Sequence, residues 1–367
     1  VVLSTGEASG GAGGDIRLDV GTGNAGNGGN IALVAGETTA ASAVGGNVLV
    51  QGGRGSNAAQ ANGGNGGSVE IVGGEALGKN KVSDVGGDVN LVGGRSSVAN
   101  GGAVSILSGT GTASSSGAVT VGTADAGVAG VSGKLVLNTG QASLGDSGVV
   151  TIGSGDALTR GTSGDIQILV GRGSNLGGSV VMKAGESVSK EGQGGNVDIS
   201  GGDGTFGTRG LDGGDGGSVS ITGGVAMGSS RSDVGGDLVL GGGMADGGVG
   251  GNVAITSGQS RSTSSGSVSI ATAEAGDYDR SGALSVKTGD SPGGGTGSVV
   301  LAVGNARSGR TGDLTVSVGA GSSGVGGQVV LSAGGTEGIY GETGGDVTVM
   351  SGRSERLGSG AVNILTS

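Results

Sequence analysis

Acidic residues are the side chains in this sequence whose type and repetition most directly suggest chemistry. The chain of 367 residues contains no histidine and no cysteine. It therefore lacks imidazole bases, thiol nucleophiles and the nitrogen and sulfur ligands that zinc prefers. Its three aromatic residues are Phe206, Tyr278 and Tyr340. Carboxylates remain as the candidate general acids, general bases and calcium ligands.

One candidate is a row of aspartates set by a short motif that recurs along the chain. The residue before the first apolar position of this motif is aspartate in six copies, and such a row could bind calcium through its oxygens. Asparagine, serine and alanine replace it elsewhere, and this interchange favours a turn role, because aspartate, asparagine and serine commonly hydrogen-bond turn amides. We therefore favour a turn-forming role for this position. The six residues are Asp15, Asp88, Asp165, Asp237, Asp313 and Asp346.

A second candidate resembles the calcium-binding nonapeptide repeat of RTX proteins. The stretch from Gly213 to Ile221 has the glycines of that repeat, but Ser218 stands where the ligand aspartate belongs. The stretch from Gly63 to Val69 has the same defect. No tandem array of nine-residue units follows either stretch, so we expect no calcium-binding roll and no metal site.

Two kinds of catalytic site can also be considered. Asp203, Asp212 and Asp215 could supply paired carboxylates for glycosidic hydrolysis, but the near absence of aromatic residues leaves no platform for a sugar. Glycine-rich phosphate loops require a following helix, and no helical apolar pattern follows any glycine cluster. The sequence therefore predicts a protein that is not an enzyme, with no catalytic residue, no cofactor-binding residue and no cofactor.

Charge and hydropathy narrow the possible partners. The 19 basic and 30 acidic residues give a net charge of −11 and are scattered singly. Without a basic stripe or stacking aromatics, nucleic-acid binding is not expected. No apolar run reaches the roughly 18–20 residues of a membrane span.

The element that must position any site is the repeat itself, which uses many of the 98 glycines. A glycine pair or Ser-Gly precedes a small polar residue and an apolar–x–apolar triplet, as in Gly87-Asp88-Val89-Asn90-Leu91. The sequence contains 23 such copies, most of them about 15 residues apart. Alternation at period two predicts short strands, and many similar copies predict stacking. The expected fold is all-β, a repetitive β-solenoid without helices, with one strand per turn favoured over three.

A longer period is superimposed on the short one. Ser83-Asp84-Val85-Gly86-Gly87-Asp88 recurs as Ser232-Asp233-Val234-Gly235-Gly236-Asp237. We therefore expect one continuous array over residues 1–367, built from nine-strand modules of about 149 residues. Residues 48–196 and 197–346 are two full modules, and residues 1–47 and 347–367 are partial ones.

The repeat style resembles the glycine-rich segments of extracellular adhesins and surface fibre proteins, and more loosely long repeat proteins of algal and protist surfaces and flagellar hairs. This resemblance implies an extracellular or cell-surface location and a structural, non-catalytic segment of a filament, assembled end to end or laterally from copies of itself. The alternative is an adhesin-like or ice-binding module that attaches to a surface or a glycan. Its contact loops would be the long connectors from Gly52 to Gly67 and from Gly201 to Gly217, although the only Thr-x-Thr is Thr110-Gly111-Thr112.

Overall fold

The computed structural model of the chain describes residues 1–59, 61, 63–159, 161–205, 213–276, 279–322, 324–337 and 343–366. Within these ranges the chain forms no helix and no strand; turns and bends alternate with stretches of non-repetitive backbone. The prediction of an all-β fold, and of a β-solenoid with a strand about every 15 residues, is therefore wrong. The 23 predicted strands are not strands in the described ranges.

The reason lies in where the backbone hydrogen bonds are made. A strand is defined by its ladder of bonds to a neighbour, and the period-two pattern predicted such ladders. In the part of the chain that the structure describes, backbone groups bond one another across the bases of loops, within turns and, from Gly64 to Asn57, between the arms of one long loop. The interiors of the apolar–x–apolar stretches take part in none of these bonds. The pattern identifies residues that could pair, but no neighbouring stretch is held against them.

The described residues also form no buried core, because no side chain among them is classed as buried. The accessible surface is 36480 Å². A globular chain of this mass, 33.6 kDa, would expose about 12,700 Å², and the same chain fully unfolded about 48,700 Å². The exposed area is therefore much closer to that of an unfolded chain than to that of a globular one.

Loops alternate along the chain with segments of constant length. Each segment lies between a glycine such as Gly102 and a glycine or alanine seven residues later, here Gly109. This seven-residue step holds for all 21 segments that are bounded at both ends. The intervening loops vary, with ends 7 residues apart at Gly171 and Gly178 and 15 residues apart at Gly202 and Gly217. All variation in repeat length therefore falls in the loops.

The chain divides into two units, Val1–Gly178 and Ser179–Ser367. Each unit contains eleven loops of the kind described above. No helix among the described residues is both long and apolar enough to cross a lipid bilayer.

Candidate functional site: glycine necks and apolar segments

The recurrent structural feature of this chain is a neck, the place where the two ends of a loop meet. In twelve necks the backbone N–H of the glycine after the loop donates to the carbonyl oxygen of the glycine before it, over 2.8–3.0 Å. In one such neck Gly102 donates to Gly94. We call the residue after the loop the donor position and the residue before it the acceptor position. The residue that precedes the acceptor position, Gly93 in this neck, is the flanking residue.

The donor position is glycine in all 22 necks, and the structure supplies a steric reason. A Cβ atom added at any of these glycines would lie 3.8 Å or less from the flanking residue or from the backbone of the acceptor position. The tightest case is Gly327, where the added atom would lie 2.6 Å from Cγ1 of Val318. At thirteen of the 22 donor glycines this distance is shorter than 3.4 Å, so the other side of the neck occupies the space that a side chain would need. At the other nine, the added Cβ would make an ordinary van der Waals contact.

The flanking residue decides whether the neck is hydrogen-bonded. Where it is glycine, alanine or serine, twelve of thirteen necks have the N–H···O=C bond, and the neck after Ser154 is the exception. Where it is threonine or valine, none of the nine necks, all within the described ranges, has that bond. The flanking residues of these nine necks are Thr5, Val20, Thr123, Thr139, Val170, Thr272, Thr288, Val303 and Val318.

In five of the nine necks with a β-branched flanking residue, the side chain of that residue crowds the donor position. Cγ1 of Val170 lies 2.8 Å from the place of a Cβ on Gly178, and Cγ2 of Thr139 lies 3.3 Å from that place on Gly148. A second heavy atom on Cβ cannot be rotated entirely out of the way, so donor and acceptor stay apart. At the first neck the side chain supplies a substitute, because the Thr5 hydroxyl donates to the carbonyl oxygen of Gly14 over 3.1 Å.

The two kinds of neck follow one another in a fixed order. Within the first unit, five bonded necks run from the loop after Gly36 to the loop that ends at Gly117, and four unbonded necks follow. Within the second unit, five bonded necks begin at Gly185 and four unbonded necks follow. Five bonded necks and four unbonded necks make a series of nine, which equals the number of repeats in the predicted module.

Glycine at the flanking residue gives the closest approach of the two sides. At six necks a Cβ on this residue would overlap the carbonyl oxygen of the donor glycine, so no other residue fits without a backbone shift. Three of these necks are consecutive in each unit. Their flanking residues are Gly52, Gly73, Gly93, Gly201, Gly223 and Gly242.

The long connectors predicted as contact loops belong to this group. Gly67 donates to Gly53 and Gly217 to Gly202, each over 2.8 Å. Slightly further into the first loop its two arms are again in close contact, because a Cβ on Gly55 would overlap the backbone of residues 64 and 65. These connectors therefore begin as narrow glycine-lined stems, and residues 60, 62 and 206–212 lie outside the described residues.

Several short loops share a turn made by one serine hydroxyl. The serine two residues after the acceptor position accepts the backbone N–H of the residue three positions further on. Ser96 accepts from Ala99 over 3.0 Å, and Ser260 from Thr263 over 2.9 Å. Ser354 accepts from Leu357 over 3.0 Å in the same way. A hydroxyl acceptor at this offset fixes the turn of a short loop without using any other side chain.

In two longer loops a carboxylate closes the turn in the opposite sense, by accepting the N–H of a residue earlier in the sequence. The Asp84 carboxylate accepts the N–H of Asn80 over 2.8 Å, and the Asp233 carboxylate accepts that of Ser230 over 3.0 Å. These two aspartates occupy the same place in the repeated Ser-Asp-Val-Gly-Gly-Asp sequence. The loop around Asp84 is one residue longer than the other, and the extra residue lies within the turn that the carboxylate spans.

The acceptor position behaves differently from the donor position, although it is almost as uniform. It is glycine in 20 of 22 necks, and Ala124 and Ala273 occupy the other two. A Cβ added at any of the twenty glycines would meet nothing within 4 Å. None of them has a φ in the left-handed region, where four other glycines lie, including Gly26. The described chain itself therefore places no steric or conformational demand for glycine on this position.

The apolar segments are the six residues between a donor position and the next acceptor position. Their second and fourth residues are apolar, as in Val104 and Ile106. The second residue of each segment is 48–61 % exposed, and the fourth is more exposed still. These paired apolar side chains form the largest recurring surface that the described residues leave uncovered.

The predicted row of aspartates does not form a site. No group of three or more acidic side chains that could hold a metal ion occurs in the described ranges. Asp313 instead accepts two hydrogen bonds of 3.0 Å from the Arg310 guanidinium. None of the six aspartates accepts a backbone amide in the described part of the chain, whereas Asp84, Asp233 and Asp279 do.

The remaining candidate residues are also not assembled into a site. Asp203 and Asp215 lie in the arms of one long loop and are exposed, and Asp212 lies outside the described residues. Phe206, Tyr278 and Tyr340 also lie outside them. The two stretches that resemble a calcium nonapeptide each contain a neck glycine, Gly67 or Gly217, which accounts for their glycine spacing.

Sequence reasoning missed the neck, although the sequence contains a signal for it. The signal is the fixed seven-residue step from the donor position to the next acceptor position, together with glycine at every donor position.

No family model matches the chain, and no curated protein and no solved structure matches it.

Proposed function

We propose that this chain is a structural, non-catalytic segment of an extracellular filament and that it assembles with copies of itself. The observation that carries the proposal is the repeated apolar segment, which is exposed at every copy and makes no backbone hydrogen bond in the described chain. Exposed apolar surface on this scale favours association. A polymer of like chains is the simplest arrangement that covers every copy of a repeated surface.

The composition supports a structural role over a chemical one. Without histidine and cysteine, the chain lacks the side chains that most often act as bases, nucleophiles and metal ligands at neutral pH. Its polar side chains are used locally, in turns such as those of Ser96 and Asp84 and in exposed ion pairs such as Arg310–Asp313. Such groups define loop shape, which is a structural task.

The experiment that tests this role is assembly of the purified chain without any partner. Sedimentation velocity over a concentration series is expected to show growth of large species above a critical concentration. Negative-stain electron microscopy of the same samples is expected to show filaments. A chain that remains a monodisperse monomer at every concentration, with no filaments on the grid, would contradict the proposal.

A surface-attachment module is the second candidate, and one observation favours it. The two longest loops, which end at Gly67 and Gly217, occupy equivalent places in the repeat and have the same glycine-lined stems. Replacing each loop by the short loop of residues 95–101 would remove both while keeping a bonded neck. Loss of attachment to cells, glycans or ice with unchanged filament formation would favour this candidate. If attachment and filament formation are both unchanged, the result would weigh against it.

A further inference from the structure

In the described chain, the second and fourth residues of each apolar segment have exposed side chains, and the segments make no backbone hydrogen bond. In the segment of residues 103–108, Val104 is 56 % and Ile106 is 64 % exposed. None of these six residues takes part in a backbone hydrogen bond with another part of the described chain. A surface that fits this segment must cover two apolar side chains and offer both N–H donors and C=O acceptors.

The area that remains to be covered is too large for an ordinary partner. The chain exposes about 24,000 Å² more than a globular chain of its mass would. A standard protein–protein interface buries about 1,600 Å² in total. A single compact partner would therefore cover only a small part, so the occupant has to run along the repeat and match its seven-residue step.

The acceptor positions indicate that this occupant comes close to the backbone of the chain. Twenty glycines and two alanines stand where a Cβ would meet nothing within 4 Å of the described chain. The copies have diverged elsewhere: the flanking residue varies from glycine to valine, and the distance between the two ends of a loop varies from 7 to 15 residues. A position that stays small although a side chain would meet no atom of the described chain is accounted for by close approach of something outside the chain.

Building on the structural role proposed above, we infer that the apolar segments and the acceptor positions at their ends form the docking surface for a second copy of this chain. A second copy has the same step and the same small residues at the same intervals. It also presents both kinds of unpaired backbone group, so each segment is complementary to another. The net charge of −11 on each copy opposes the contact, but salt screens this repulsion beyond a Debye length of about 8 Å at physiological ionic strength.

The test compares two sets of four Gly→Ala substitutions in the full chain. The first set adds a methyl group at four acceptor positions, each with nothing within 4 Å of the added Cβ. The set is Gly94→Ala, Gly109→Ala, Gly243→Ala and Gly258→Ala.

The control set adds four methyl groups inside loops, also at glycines with nothing within 4 Å of the added Cβ. Both sets lower the entropy of the unfolded chain equally, so only the position of the methyl groups differs. The control set is Gly145→Ala, Gly247→Ala, Gly293→Ala and Gly358→Ala.

We expect the acceptor-position variant to raise the critical concentration for assembly at least about tenfold, which corresponds to about 1.4 kcal/mol, while the control variant assembles like the unchanged chain. In addition, amide hydrogen exchange of residues 103–108 is expected to slow on assembly, and that of loop residues 95–101 to stay fast. Equal assembly of both variants, or equal loss in both, would overturn the docking surface and leave the filament proposal standing. A parent chain that stays monomeric would overturn both.

Discussion

The backbone N–H of Gly102 donates a 2.8 Å hydrogen bond to the carbonyl oxygen of Gly94 and so joins the two ends of a short loop. The same pairing recurs in eleven other loops, whose ends are as far apart as Gly202 and Gly217 in the sequence. One small contact, repeated, therefore holds loops of different length to a common base. The structure concentrates its order at these necks rather than in a core.

Substitution at a donor position is expected to open its neck. Gly102→Ala places a Cβ 3.0 Å from the backbone nitrogen of Gly94, so the backbone must shift and the hydrogen bond is lost. A backbone hydrogen bond contributes about 1 kcal/mol, or about fivefold in an equilibrium constant. Amide exchange at residue 102, measured by NMR on the monomer, is expected to speed up by about that factor.

The matched control is Gly94→Ala on the other side of the same neck, where the added Cβ meets nothing within 4 Å. It is expected to leave exchange at residue 102 unchanged. If both substitutions accelerate exchange equally, steric exclusion does not explain glycine at the donor position.

Exchanging flanking residues is expected to switch necks between the two kinds. Val170→Ala removes the Cγ1 atom that lies 2.8 Å from the place of a Cβ on Gly178, so the N–H of Gly178 is expected to bond Gly171. The reverse change, Ala184→Val, is expected to break the 2.9 Å bond from Gly195 to Gly185. Amide exchange at the two donor glycines should change about fivefold in opposite directions.

A suitable control for this exchange is Val181→Ala, which removes the same atoms from an exposed segment residue. Exchange at Gly178 and Gly195 should not respond to it. If amide exchange at the donor glycines does not change when the flanking residue is exchanged, the flanking residue does not control the hydrogen bond in the 22 necks.

Serine turns are expected to depend on one hydroxyl in each loop. Ser96→Ala removes the acceptor for the N–H of Ala99 and is expected to destabilise the turn by about 0.5–1 kcal/mol. The amide of residue 99 should then exchange about two- to fivefold faster. Ser97→Ala, one residue along, is the control and should have no such effect; an equal effect would show that the turn does not rest on the Ser96 hydroxyl.

Assembly is expected to respond to solvent as apolar association does. Sulfate salts should lower the critical concentration, because they are excluded from protein surface, and urea should raise it. Sodium chloride at about 0.5 M should also promote assembly slightly, by screening the charge of −11 on each copy. Light scattering at fixed protein concentration measures all three effects. Dissolution of the assemblies by sodium chloride would indicate that ion pairs, not apolar segments, hold them together.

Calcium removal is expected to leave assembly unchanged. In the ranges that the structure describes, no three acidic side chains lie close enough to hold a metal ion, and Asp313 pairs with Arg310 instead. The critical concentration measured in a chelator should equal that measured in millimolar calcium. A clear difference between the two would point to carboxylates brought together only between copies.

The order of residues alone establishes the repeat, its copy number and the residue types at each position. It also establishes the constant distance from Gly102 to Gly109 and its counterparts, since that distance is a matter of counting. The lack of histidine and cysteine excludes imidazole bases and thiol nucleophiles whatever the fold. These properties follow from composition and order, so no contact between distant residues is needed to establish them.

What the repeat builds depends instead on contacts between distant residues. Alternation such as Val104 and Ile106 shows that one face of a segment can be buried, but a strand also needs a neighbour's backbone, and the described chain provides none. In the same way, glycines at the two ends of a segment are equivalent in the sequence. The structure distinguishes them, because an added Cβ on Gly102 would be crowded by the opposite side of its neck, whereas one on Gly109 would meet nothing within 4 Å. Pairing and crowding are relations between residues far apart in the chain, and local sequence does not specify them.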